Sequence, residues 1–240
     1  MTSGMIPVTS RIFMFEPSEY SRRPVIGYFE GERRSLLFDA GNSHRHAGDI
    51  RVELVKHRKP EPDFIVISHH HWDHWFGLKA YKAVSLCSEK TLEEIRRQTA
   101  LDWSSDAVWD RAEKGLIPRE TARMMENEFG MKRKDIDFKL PDMTFRKKIT
   151  IDLGGLKCRV ESFGGSHARD SVVLFEETEK VLFLGDVLYT DGYKQPQFDK
   201  TAEKLLGYGA LLYIESHANK IYSNKQFLRR LESIRRRITS

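Results

Sequence analysis

Short apolar bursts separated by polar turns dominate the first part of the chain. Residues 9–15, 25–30 and 35–38 read as three strands, the last two joined by the polar turn 31–34. A helical period follows at 48–57, where Ile50 and Leu54 mark one face and Pro60 and Pro62 end it. The apolar runs 64–67 and 83–87 read as two more strands. From 88 to about 138 the pattern turns helical, with segments at 91–101, 102–114 and 119–129. Pro118 suits the first turn of the third segment and Gly130 its end. Strands return after Pro141 at 144–153, 156–163, 171–175 and 181–184. A helix at 201–207, a strand at 210–214 and a helix at 225–238 close the chain.

Strands in both halves, with helices between and outside them, predict an α/β fold. Two sheets pack together and helices cover their outer faces, which buries both sides of each sheet. The helical stretch 88–140 is too long for an ordinary connection and has no convincing core of its own. It reads as an insertion in a single domain spanning residues 1–240, a lid or pocket wall over one end.

Composition narrows this picture only a little. The chain has 240 residues, enough for a sizeable core, and no apolar run approaches a membrane span, so no membrane association is expected. Residues 1–10 lack a basic segment followed by an apolar run, which points to a cytoplasmic protein. Cys87 and Cys158 sit in apolar strand-like runs and read as buried free thiols. The net charge of +5 is mild for this length, and no recognition motif accompanies the arginines at 229, 230 and 235–237. They read as the wet face of the last helix, so no nucleic-acid partner is expected. The apolar face of that helix, Phe227, Leu231, Ile234 and Ile238, either covers its own sheet or meets a second copy in a homodimer.

The chemistry is concentrated in S-H-H-H-W-D-H at 68–74, just beyond the apolar run 64–67. His69 and His71 face the same way from extended backbone, with His70 opposite, and Asp73 and His74 follow as the chain turns. Three further candidates lie at predicted strand ends: His167 in G-G-S-H-A-R-D, Asp186 after F-L-G, and His217 after the last strand. His44, His46 and His57 read as ordinary surface or core histidines. The remaining set is too rich for one cation. It divides into His69, His71 and His167 for one divalent metal and Asp73, His74 and His217 for a second, with Asp186 shared. Nitrogen-rich ligands with a shared carboxylate suit zinc, with iron and manganese as alternatives. A hydroxide held between two cations is a strong nucleophile at neutral pH, and Asp73 would orient it. Trp72 and Trp75 pack around the loop. Asp39, at another strand end, either orients the histidines or caps its own turn.

The H-x-H-x-D-H pattern of His69, His71, Asp73 and His74, followed in order by His167, Asp186 and His217, resembles the metallo-β-lactamase fold superfamily. The resemblance covers almost the whole chain. It implies a four-layer αββα sandwich of two mixed sheets, with two metals at one edge between them. It also implies a metal-dependent hydrolase acting on the ester, lactone or thioester carbonyl of a small-molecule substrate. Phosphodiesterase, β-lactamase-like and iron-dependent redox activities are the alternatives on the same fold. Classical β-lactamases commonly depart from the Asp73-His74 pair. Glyoxalase-II-like thioesterases carry a helical domain after the core, whereas 23 residues follow His217 here. Tyr189, three residues beyond Asp186 in G-D-V-L-Y, is similar to the tyrosine of homoserine-lactone hydrolases. The likeness implies a catalytic hydrogen bond to the substrate oxygen.

Overall fold

The structure, a computed structural model, describes residues 4–131, 133, 136–189 and 194–239. Seven strands form the first sheet in chain order: β1 (Met5–Pro7), β2 (Ile12–Phe15), β3 (Ile26–Glu30), β4 (Ser35–Phe38), β5 (Phe64–Val66), β6 (Val84–Ser88) and β7 (Met143–Phe145). β1 to β4 pair antiparallel, and β4 to β7 pair parallel. The second sheet takes β8 (Lys148–Asp152), β9 (Lys157–Ser162), β10 (Val172–Glu176), β11 (Val181–Phe183), β12 (Leu212–Ile214) and β13 (Ile221–Ser223). Only β11 and β12 are parallel within it, so both sheets are mixed.

Alternation along each strand sorts side chains between layers. Ile12, Met14, Leu36, Phe38, Val172, Leu174 and Phe183 fill the space between the sheets. Their neighbours Phe13, Phe15 and Leu37 face outward onto α1 (His44–Lys56), through its Ala47, Ile50 and Leu54. On the opposite side Val173, Phe175, Leu182 and Tyr213 meet α6 (Gln195–Leu206) and α7 (Asn224–Thr239). The result is an αββα sandwich. The apolar face of α7, through Phe227, Leu231 and Ile234, covers its own sheet. Both cysteines are free and buried. No helix among the described residues is long and apolar enough to cross a membrane.

The helical block consists of α3 (Glu89–Thr99), α4 (Ser105–Glu113) and α5 (Arg119–Phe129). Its Ile95, Val108, Ala112, Ala122 and Met125 join the core on the outer face of the seven-stranded sheet. Pro118 is the N-cap of α5, and Gly130 ends it at φ 86°. Several elements differ from the sequence pattern, among them the unexpected strand β1 and the helix α6, which begins at Gln195 instead of 201. The strand expected at 144–153 is two strands, β7 and β8, in different sheets. Phe145 and Ile151 both point between the sheets, so the alternation runs in phase through the corner and hides it. α1 begins at His44, because the Ser43 side chain accepts from the His46 backbone N–H and starts the helix early. The short strand β13 escapes the pattern, since Tyr222 is its one buried position.

Candidate metal centre

Every candidate ligand, and Asp39 with them, leaves the sandwich along one edge. Asp39 follows β4, His69 and His71 follow β5, His167 lies between β9 and β10, Asp186 follows β11 and His217 follows β12. The sequence pattern makes 68–74 a loop, but residues 72–75 form a short helix, α2 (Trp72–Trp75), with His71 at its N-cap. The helical turn swings Asp73 and His74 beside the extended pair His69 and His71. His70, facing the other way as alternation predicts, pairs with Asp170 at 2.8 Å.

All seven predicted side chains converge. His69 Nε2 lies 3.0 Å from His71 Nδ1, which lies 2.8 Å from His167 Nε2. Across the site, His217 Nε2 is 3.1 Å and His74 Nε2 3.5 Å from Asp73 Oδ2. Asp186 sits between the two groups. Its Oδ2 is 3.4 Å from His167 and 3.3 Å from His217, while Oδ1 is 3.6 Å from His74. Three sets of ligand atoms each fall within 4.8 Å: His69, His71 and His167; His69, His74 and Asp186; Asp73, His74 and His217. The residues fit a pair of cations on a second ground. His74 Nε2, His217 Nε2 and both Asp186 oxygens are buried with no well-aligned hydrogen bond, although they stand close to one another. A buried polar atom left so costs about 1–3 kcal/mol, and a coordinated cation removes that cost.

The electrostatics separate the two groups. Burial, reinforced by neighbouring imidazoles, holds His69 well below the ordinary histidine range and His71 at about 3. Burial lowers His167 as well. These rings are neutral at pH 7 and offer lone pairs. Around Asp73 and Asp186, burial would raise the carboxyls. The His74 and His217 imidazoles outweigh it and hold both well below the usual carboxylate range. Conversely, burial would lower His74 and His217, but facing carboxylates outweigh it. His74 is driven well above its usual value, chiefly by Asp39, and His217 rises to about 8, chiefly through Asp186.

A surrounding set of hydrogen bonds fixes the ligands. Asp39 accepts from the Ser68 backbone N–H at 2.7 Å and from its hydroxyl at 2.9 Å, and pairs with His74 Nδ1 at 2.7 Å. Of the two roles open to it in the sequence, it therefore takes the orienting one. Asp170 also accepts from the His70 backbone N–H at 2.9 Å, tying the first loop to the segment that carries His167. Arg169, the neighbour of Asp170 in sequence, is exposed. Trp75 is fully buried and donates to the His70 carbonyl at 2.8 Å. His46 is buried too, apart from the cluster, where its Nδ1 accepts from the Asn42 backbone N–H.

The centre opens onto two cavities. One, of about 460 Å³, has Arg22, His71, Asp73, His167 and Tyr189 at its polar end and Trp72, Trp103, Ile117 and Met124 along its wall. Three of these apolar residues come from the helical block. The other cavity, of about 370 Å³, is bounded by Asp186, His217, Glu215 and Arg230. Tyr189 borders both. The sequence gives no hint of Arg22, which reaches Asp73 at 3.3 Å and Tyr189 at 3.0 Å from a turn distant in sequence.

Comparison with known proteins bears on the family and the fold. The sequence profile described as "Metallo-beta-lactamase superfamily" matches residues 23–216. An acyl-coenzyme A thioesterase, MBLAC2 of Gallus gallus, is 27% identical over 192 residues, 76% of this chain. The chain spans 65% of the length of that curated relative. Among solved structures, DIM-1 metallo-beta-lactamase superposes with a TM-score of 0.68 at 16% identity, covering 99% of this chain and 98% of that one. The sec-alkyl sulfatase PisA1, as a double mutant, gives 0.72 at 15% identity, covering 99% of this chain and 42% of that one. At such identities these two likenesses concern the fold alone. The profile match, spanning both halves of the sandwich and ending beside the last histidine, shows that the chain belongs to the metallo-beta-lactamase superfamily.

Proposed function

We propose that the chain is a metal-dependent hydrolase of small acyl substrates, thioesters first. In this reading His69, His71 and His167 hold one divalent cation, zinc by preference of the nitrogen-rich set. Asp73, His74 and His217 would hold a second, with Asp186 within reach of both groups. The observation that carries it is the convergence of seven side chains from separate segments, with buried ligand atoms left without well-aligned hydrogen bonds. Two such cations supply Lewis acidity at the carbonyl and activate water at neutral pH.

The protein's own groups do the rest. Asp73 stays a carboxylate far below its usual range, so it orients the attacking water by accepting its hydrogen bond rather than storing a proton. Tyr189, at the junction of both cavities, donates to the oxygen that gains charge as the carbonyl is attacked. Trp72, Trp103, Ile117 and Met124 receive the apolar body of the acyl group and keep bulk water from it, so the helical block serves as a pocket wall. A thiolate leaves without needing a proton, whereas an alkoxide must be protonated. The similarity to an acyl-coenzyme A thioesterase supports the same choice.

The test is a substrate panel. Protein loaded separately with zinc, iron and manganese is assayed on acyl thioesters, esters, lactones, β-lactams and phosphodiesters, alongside metal analysis. Thioester turnover that disappears on chelation and returns with metal is expected. Faster turnover of a phosphodiester, lost with the same metal, would overturn the reading.

A further inference from the structure

The turn that delivers Arg22 is built as a bracket. Ser18 and Arg23 close it with two backbone hydrogen bonds of 2.9 Å, leaving 19–22 as the loop. Asn42 Nδ2 donates to the Ser21 carbonyl at 2.7 Å, and Asn127 Nδ2 of α5 donates to the Tyr20 carbonyl at 2.6 Å. Arg23 points away from the centre and pairs with Glu128 of α5 and Asp49 of α1. Arg22 points the opposite way, into the site, from a left-handed backbone at φ 54°. A side chain in that region costs backbone energy, and the surrounding contacts hold it there.

Arg22 makes three contacts at the centre. Its Nε donates to Asp73 Oδ2 at 3.3 Å, its Nη1 donates to Tyr189 Oη at 3.0 Å, and its guanidinium carbon lies 5.0 Å from the centre of the Tyr189 ring. A phenol oxygen carries one proton and two lone pairs, while a guanidinium can only donate. Arg22 therefore occupies a lone pair of Tyr189 and leaves its proton free. Among the described residues no acceptor takes that proton, and the ring borders both cavities.

We propose that Arg22 is a positioning residue for hydrolysis: it locks the Tyr189 ring and turns the phenol proton toward the substrate oxygen. The proposal rests on the reading of Tyr189 as the hydrogen-bond donor to that oxygen. It explains why a fork-shaped side chain stands here, since one guanidinium spans the Asp73 carboxylate and the phenol together. Lysine carries the same charge but lacks that geometry.

Arg22→Ala, Arg22→Lys, Tyr189→Phe and the Arg22→Ala/Tyr189→Phe double variant are compared as metal-loaded protein. All keep a Cβ at the strained position, so the backbone cost is unchanged. Crystal structures of the wild type and Arg22→Ala give a readout independent of activity. Misplacing a reacting group by about 1 Å costs about 100-fold, so Arg22→Ala should lower kcat on an acyl thioester by about that factor with KM little changed. Tyr189→Phe should lose a similar factor, and the double variant no more than the slower single one. Arg22→Lys should recover part of the rate. In Arg22→Ala crystals the Tyr189 hydroxyl should leave its present position, with metal content unaltered. Multiplying effects in the double variant, wild-type kcat in Arg22→Ala, a rate loss that follows metal loss, or an unmoved Tyr189 would each overturn the proposal. If the wild type hydrolyses nothing on the panel, the proposed function fails, and the crystal comparison alone decides the placement of Tyr189.

Discussion

Glu128 is the most informative single position outside the centre. Its side chain is fully buried, and the Arg23 guanidinium grips it with two hydrogen bonds of 2.9 and 3.0 Å. Ser43 donates to it at 2.5 Å, and Arg45 lies at 3.2 Å. Burial would raise this carboxyl, but the hydrogen bonds from Arg23, Arg45 and Ser43 win and hold it at about 2, against an ordinary 4.5. At about 1.36 kcal/mol per unit, that difference contributes about 3 kcal/mol at pH 7. Removing one partner of a buried ion pair costs about 3–5 kcal/mol, a consistent figure. Because the folded value is depressed, this stabilisation is complete above the unfolded value and disappears as pH falls through the folded one. Metal-free wild type and Glu128→Gln are therefore compared by urea unfolding at pH 7 and pH 3. The expected gap is about 3 kcal/mol at pH 7, narrowing to about 1.4 kcal/mol at pH 3. Hydrogen exchange should also rise in 119–129, since Glu128 anchors α5 to the turn carrying Arg23. Equal midpoints at pH 7, or a gap that does not narrow in acid, would refute the reasoning.

Three further outcomes follow from the centre and its wall. His167→Ala and His217→Ala each interrupt a different ligand group, so each should hold about one metal equivalent instead of two by atomic emission, with native circular dichroism. Asp39→Asn leaves the first ligand atoms in place but loosens His74; zinc affinity by competition with a chromophoric chelator should drop about 10–100-fold. Ile117→Trp narrows the apolar wall. The ratio of kcat/KM for a long acyl chain over acetyl should fall by about tenfold, and an unchanged ratio would place the acyl group elsewhere.

What the chain announces by itself is local. The density of imidazoles at 68–74 declares a metal site because so many such groups cannot be buried without compensation. The two-residue spacing of His69 and His71 follows from extended backbone, and the alternation of Ile12 to Phe15 sets which side chain meets which layer. The strand boundaries of β4 and the helix α5 were legible for the same reason: period and punctuation agree there. Where periods coincide, the pattern misleads, as at the corner between β7 and β8, whose inner positions stay in phase across two sheets. The pairing of His70 with Asp170, the choice of Asp39 as orienting group and the arrival of Arg22 beside Tyr189 needed the folded chain. Each joins segments far apart in sequence by one to three hydrogen bonds. Neither periodicity nor composition encodes such a contact: the pairing of β4 with β5 brings Asp39 to Ser68 and His74, and the packing of the two sheets brings the other partners within reach.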